Sequence, residues 1–144
     1  CSSIATAQDS QGTLSIAVLD IDHFKAINDR YGHVAGDQVI QRVAMDISRE
    51  LRSDDIVGRF GGEEFVIVFT HANADIAMMV AERVRKAVEA GGANQPVTVS
   101  IGVAQWAQSE TTGSLLRRAD EALYFAKGAG RKPSQRAARV LEWM

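Results

Sequence analysis

The sequence offers little that points to an exported, cross-linked or membrane-inserted protein. Cysteine occurs once, at Cys1, which excludes an internal disulfide framework and a cysteine-based zinc site and fits a reducing compartment. No apolar run approaches the roughly 18 residues of a membrane span, and no secretory leader is visible. Neither sign of charge dominates: 16 Lys and Arg face 18 Asp and Glu, for a formal net charge of -2. No global basic field therefore draws the chain to nucleic acid or anionic lipid, and any phosphate binding must come from local groups. The three histidines, His23, His33 and His71, lack metal-ligand spacing; His23 reads as partly packed and His33 as a turn residue. Trp106 and Trp143 read as packing residues, and Met78-Met79 as core and surface filler. The expectation is a cytoplasmic domain with no nucleic-acid partner and no membrane contact of its own, whose full-length parent could still be membrane-anchored.

What is present suits one domain with one core: 144 residues, 46% hydrophobic and 24% charged. The chain opens on Cys1 rather than Met and reads as a fragment of a longer protein. Residues 1–13 are small and polar and read as a lead-in remnant, with residues 14–144 as the domain. Leu14 to Leu19 is a nearly continuous apolar run ending in Asp20, the mark of a strand buried on both faces. Asp22 can then cap a short helix over 23–30, broken by Tyr31-Gly32-His33. A longer helix runs to about Leu51, with Val39, Ile40, Val43, Ala44, Ile47 and Leu51 at helical spacing. Two short apolar runs, 56–60 and 65–69, flank Gly61-Gly62, which supplies the positive φ angles of a hairpin turn. Asn73 caps a third helix to about Ala90, with Ile76, Val80, Val84 and Val88 on one face. Residues 97–104 read as a strand. Thr112 starts a fourth helix, with Leu115, Ala119, Ala122, Leu123 and Ala126 inward and Gly128 past its end. The order β-α-α-β-β-α-β-α predicts an α+β fold, helices covering one face of a mostly antiparallel sheet, close to the ferredoxin-like pattern. The tail, 133–144, is a late strand or none.

The candidate chemistry is acidic. A central strand ending in Asp20 and a hairpin turn carrying Glu63 and Glu64 would converge at one sheet end if the two strands pair. Carboxylates without His or Cys suit Mg²⁺, a hard ion that takes oxygen ligands and bridges phosphates. Taken singly, Asp20 also describes a strand-end turn residue, Asp22 a helix cap, and the Gly-Gly-Glu-Glu turn a plain acidic hairpin. The first helix points its free N–H groups at the same spot. Lys25 in its first turn conflicts mildly with the helix dipole, as a residue facing an anion would, though a solvated lysine fits too. Lys127 and Arg131 flank the end of the last helix, where cations are favoured in any case. Asn28 and Asp37 are acceptors able to meet the N1–H and N2–H₂ donors of guanine; Asp37 could equally cap the second helix.

At this point four ordered blocks resemble one family. Leu19 to Asp37 (LDIDHFKAINDRYGHVAGD), Arg59 to Phe65 (RFGGEEF), 97–104 (VTVSIGVA) and 117–131 (RRADEALYFAKGAGR) are similar to the signatures of GGDEF domains, the catalytic modules of bacterial diguanylate cyclases, over about residues 14–132. The resemblance implies a palm-type, nucleotide-cyclase-like sheet. It implies condensation of two GTP into cyclic di-GMP with release of pyrophosphate, with Mg²⁺ as cofactor and Mn²⁺ as an alternative. Asp20, the Ile21 carbonyl, Glu63 and Glu64 would hold metal. Glu63 would also help deprotonate the attacking hydroxyl, with Arg59 and Lys25 as further catalytic groups. Phe24, Lys25, Lys127 and Arg131 would line or neutralise the triphosphate; Asn28 and Asp37 would read guanine; Gly61 and Gly62 would admit the nucleotide to the backbone. A second such domain would face this one to form a catalytic homodimer. Arg52-x-x-Asp55, with Arg83 in support, resembles a product-inhibition site for cyclic di-GMP; the pattern alone is also an ordinary ion pair. The competing class is a catalytically weak module that binds GTP or senses cyclic di-GMP. The chain departs from the family in two places. The Asp-x-Leu-Thr…Asn-Arg segment that usually precedes the first strand is missing from residues 1–13, and Lys132-Pro133 stands where Asn usually follows Gly-Arg.

Overall fold

The computed structural model describes residues 13–59, 61–91 and 97–127. The elements follow in the expected order: β1 (Leu14–Ile21), α1 (Phe24–Tyr31), α2 (His33–Glu50), β2 (Asp55–Arg59), β3 (Glu64–Thr70), α3 (Ala74–Ala90), β4 (Val99–Gln105) and α4 (Thr112–Ala126). The strands form one sheet in the order β2-β3-β1-β4, and every neighbouring pair is antiparallel. This is the split β-α-β arrangement of ferredoxin-like folds. The lead-in over 1–12, Gly128, Arg131, Trp143 and the tail 133–144 lie outside the described residues.

The sheet is covered on both faces, not on one. Side chains alternate along a strand. Ala17, Leu19 and Ile21 of β1 join Phe65, Ile67 and Phe69 of β3 in a core with Val39, Val43 and Ile47 of α2 and Val80, Val84 and Val88 of α3. Leu14, Ile16 and Val18 of β1 join Val66 and Ala104 in a second core with Leu115, Leu116, Ala119 and Leu123 of α4. Every residue of β1 is buried, which explains why its sequence is an unbroken apolar run rather than an alternating one. Full burial of each large aliphatic side chain contributes about 1.5–3 kcal/mol, so β1 anchors both cores.

Local chemistry sets the ends. Gly32, at φ 90, separates α1 from α2 as a residue with a Cβ would do only under strain. Asn73 caps α3, its side chain accepting from the Ile76 amide at 2.9 Å, as its position in the sequence implied. The expected inward stripe of α4 is shifted: Leu116 and Asp120 are buried while Ala126 is exposed. Met78 and Met79 are both exposed because α3 turns its Val80–Val84–Val88 face to the sheet. Trp106 is half-buried and donates its indole N–H to the Glu110 carbonyl at 2.9 Å.

Gly102 fixes how closely α4 lies on β4. A Cβ there would stand 2.2 Å from the Ala119 carbonyl oxygen and 2.2 Å from the Leu123 nitrogen, both backbone atoms that cannot step aside. Gly102→Ala is therefore expected to lower stability by about 1–3 kcal/mol, read as a shift in the urea midpoint at unchanged slope; an unshifted midpoint would mean that α4 is not seated on the strand.

Candidate functional site: an acidic sheet end

Strand pairing gathers the acidic residues. Asp20 pairs with Glu64 across β1 and β3 and with Ser100 across β1 and β4. Opposed residues point to the same face, so all three project toward α4. Asp22, two residues beyond Asp20, keeps that parity because pairing continues past the strand: its amide donates to the Thr98 carbonyl at 2.9 Å. The turn between β2 and β3 folds over the same end, the Ile21 amide donating to the Glu63 carbonyl at 3.3 Å. Carboxylate oxygens of Asp20, Glu63 and Glu64 thereby lie within 4.8 Å of one another. Asp20 and Glu64 are each 1% exposed. Like charges this close and this buried repel unless a cation lies among them. An all-oxygen donor set at this spacing fits a hard divalent ion, and the cluster could hold one.

The structure supplies a cation of its own. The Lys127 ammonium, at the C-terminal end of α4, lies 3.5 Å from Asp20 Oδ2 and 3.1 Å from Asp22 Oδ1. Asp22 is not the helix cap that its position suggested. His23 takes the N-cap position of α1 in a left-handed conformation with no side-chain cap, and it is exposed rather than partly packed. The Asp22 carboxylate accepts instead from Ser100 Oγ at 2.7 Å, Thr98 Oγ1 at 2.8 Å and Lys127 Nζ at 3.1 Å. Burial pushes this carboxyl up, but the bonds from Ser100, Thr98 and Lys127 outweigh it and hold the group below the usual carboxylate range. Sequence reasoning missed Thr98 and Ser100. Their signal was a pair of hydroxyls two residues apart in an otherwise apolar strand.

The neighbouring residues divide. Lys25 is exposed in the first turn of α1, and Phe24 is partly buried against the α2 core. Asn28 lies on α1 against Gly36 of α2, where a Cβ would stand 1.8 Å from Asn28 Oδ1. That buried oxygen has no hydrogen-bond partner among the described residues. Asp37 is exposed inside α2, which begins at His33, so it is no cap. In the turn, Gly61 has φ 76, whereas a Cβ at Gly62 would meet nothing within 4 Å. Only the first glycine is thus required by the backbone. Arg59 donates to the Gly62 carbonyl at 3.1 Å, closing the turn from its strand end.

A second constellation sits at the other end of β2, roughly 13 Å along the strand. The Asp55 side chain is fully buried, and Arg52 grips it with Nη2 at 2.7 Å from Oδ1 and Nε at 3.1 Å from both oxygens. The Arg52 amide donates to Asp55 Oδ2 at 2.8 Å and its Nη2 to the Thr70 carbonyl at 3.0 Å. Arg83 of α3 reaches over to the Glu50 carbonyl at 2.7 Å, beside Arg52 in the chain.

The family model for the diguanylate cyclase GGDEF domain matches residues 2–133. The chain belongs to the GGDEF family. Among similar proteins, this GGDEF chain is 45% identical to diguanylate cyclase A of Treponema denticola over 134 residues, 89% of this chain and 36% of that protein. It is 40% identical to diguanylate cyclase DosC of Escherichia coli, covering 89% of this chain and 29% of that protein. It thus spans about a third of these curated relatives. Among solved structures, the active GGEEF domain of a diguanylate cyclase from Vibrio cholerae superposes with a TM-score of 0.84 at 33% identity, over 90% of this chain and 86% of that one. The GGDEF domain of DgcB from Caulobacter crescentus, in complex with c-di-GMP, gives 0.82 at 38% identity, over 90% and 81%. No helix among the described residues is long and apolar enough to cross a membrane.

The Asn28–Gly36 contact yields a test. Gly36→Ala gains up to about 1 kcal/mol of helix propensity but must push the Asn28 amide aside, a movement a flexible side chain tolerates. The expected outcome is a denaturation midpoint changed by about 1 kcal/mol or less together with displaced Asn28 side-chain amide resonances; unmoved resonances would sink the contact.

Proposed function

We propose that this chain is the catalytic unit of a diguanylate cyclase, condensing two GTP into cyclic di-GMP with release of pyrophosphate. One observation carries the reading: three carboxylates from two different segments meet within 4.8 Å at one sheet end, beside a helix start and a lysine, in a chain of the GGDEF family.

Asp20, the Ile21 carbonyl, Glu63 and Glu64 would hold Mg²⁺, with Mn²⁺ as an alternative. A metal held there would lower the cost of deprotonating the attacking hydroxyl and neutralise charge on the phosphates. Glu63, the most accessible carboxylate of the three, takes the proton from the 3′-hydroxyl of one GTP. That oxygen bonds to the α-phosphorus of the other GTP as its bond to the pyrophosphate oxygen breaks, and a second such step closes the ring. Lys25, Lys127, Arg131 and the free N–H groups at the start of α1 neutralise the triphosphate, and Phe24 lines it. Asn28 and Asp37 accept from guanine; the Asn28 side-chain oxygen has no hydrogen-bond partner among the described residues. Gly61 and Gly62 admit the nucleotide close to the turn, and Arg59 balances charge on the transferred phosphoryl. The reaction joins two nucleotides, so a second copy of the domain faces this one with its own GTP. Cyclic di-GMP binds back at Arg52, Asp55 and Arg83 as product inhibitor, the guanidinium meeting the O6 and N7 of guanine.

The test incubates the purified chain at high concentration with GTP and Mg²⁺ and separates the nucleotides by chromatography. Cyclic di-GMP should form faster than linearly with protein concentration, and Glu63→Gln should abolish it with the fold intact. GTP bound but never converted, even in a forced dimer, would favour a receptor over an enzyme.

Inhibition has its own test. Arg52→Ala should move the half-inhibiting cyclic di-GMP concentration upward by at least about tenfold, the size expected for a lost charge-assisted pair of hydrogen bonds. A superimposable inhibition curve would remove the second site.

A further inference from the structure

We propose that Lys127 is an exchangeable counter-ion of the acidic sheet end, and that Asp22 is the positioning residue that retains it when a divalent cation takes its place beside Asp20. The inference rests on the reading that Asp20, Glu63 and Glu64 hold such a cation.

The Lys127 ammonium lies between two carboxylates, 3.5 Å from Asp20 and 3.1 Å from Asp22. A lysine favoured only by the helix dipole would point into solvent. This one is 15% exposed in its side chain and reaches from the end of α4 to β1. Its backbone is fixed, the amide donating to the Leu123 carbonyl at 3.0 Å, so only the side chain need move.

Its two partners differ in what else they do. Asp20 belongs to the carboxylate cluster. Asp22 does not; both of its oxygens are held by hydroxyls, Ser100 of β4 at 2.7 Å and Thr98 just before that strand at 2.8 Å. A divalent ion on Asp20 and an ammonium at contact distance from the same carboxylate repel strongly. With Asp22 in place, Lys127 gives up one contact and keeps the other. It stays at the edge of the site, its charge available to an incoming phosphate, and does not return to solvent. Without Asp22 the ammonium has Asp20 alone of this pair and competes with the ion directly.

Ion binding to the metal-free chain, without nucleotide, tests this apart from turnover. Mg²⁺ is titrated by calorimetry into the wild-type chain, Lys127→Met, Asp22→Asn and the double variant. Lys127→Met should bind at least about tenfold more tightly, since one competing unit charge is gone. Asp22→Asn should weaken binding in the wild-type background, and that loss should largely vanish when Lys127 is already Met. A general electrostatic contribution of Asp22 would persist in both backgrounds, so a double-mutant cycle separates the two. In the wild-type chain, the Lys127 side-chain resonances should shift with the same midpoint as ion binding, a reading independent of whether any variant folds. Equal or weaker binding in Lys127→Met, an undiminished Asp22→Asn effect in the Lys127→Met background, or stationary Lys127 resonances at saturating Mg²⁺ would each overturn the inference while leaving the metal site standing. No ion binding in the wild-type chain or in Lys127→Met would remove the metal site and the inference with it.

Discussion

The pairing of Asp20 with Glu64 at the end of β1 is the constraint on which the rest of the site depends. Antiparallel register fixes not only which residues are opposite but which face each side chain takes. With Asp20 opposite both Glu64 and Ser100, acidic and hydroxyl groups from three strands share the α4 face. A slip of β3 by one residue would send the Glu64 carboxylate into the α2–α3 core, where an unpaired buried charge is very costly. The apolar cores on both sides of β1 oppose that slip, because Leu14, Ile16 and Val18 are committed to one core and Ala17, Leu19 and Ile21 to the other. The same burial that stabilises the fold therefore holds the carboxylates together against their mutual repulsion.

That repulsion is offset locally. Lys127 arrives from the far end of α4, and its position depends on how closely α4 lies on β4, hence on the absence of a side chain at Gly102. Asp22, Thr98 and Ser100 fix the lysine from the strand side. A glycine and a serine of β4 and a threonine just before it thus act on the acidic site without belonging to the carboxylate cluster. The two ends of β2 carry the other polar devices: Arg59 closes the acidic turn at one end, and Arg52 holds Asp55 at the other. A short edge strand joins them.

The fold was largely legible in the chain. Continuous apolar character in Leu14 to Leu19, helical spacing in Val39 to Ile47 and in Ile76 to Val88, Asn73 as a cap and Gly61-Gly62 as a turn each express a local preference that the tertiary structure keeps. The misreadings have separate causes. Asp22 has the residue type and position of a cap, and only Thr98, Ser100 and Lys127, each at least 76 residues away in sequence, draw it elsewhere. The helices were expected on one face because an element order does not say on which side of the sheet the last helix lands; the burial of β1 on both faces already contained the answer. Ala126 was misjudged because helical spacing gives the direction of an apolar stripe but not how far it reaches before solvent.

The sequence by itself determined the elements, their order and the residue types at the acidic end, because periodicity, turn chemistry and signature blocks are local properties of the chain. Tertiary structure alone decided that carboxylate oxygens of Asp20, Glu63 and Glu64 come within 4.8 Å of one another, that Asp22 serves Lys127 rather than a helix, and that Gly36 makes room for Asn28. Each of those facts depends on register or on the approach of two elements distant in sequence, and no local pattern encodes such a distance.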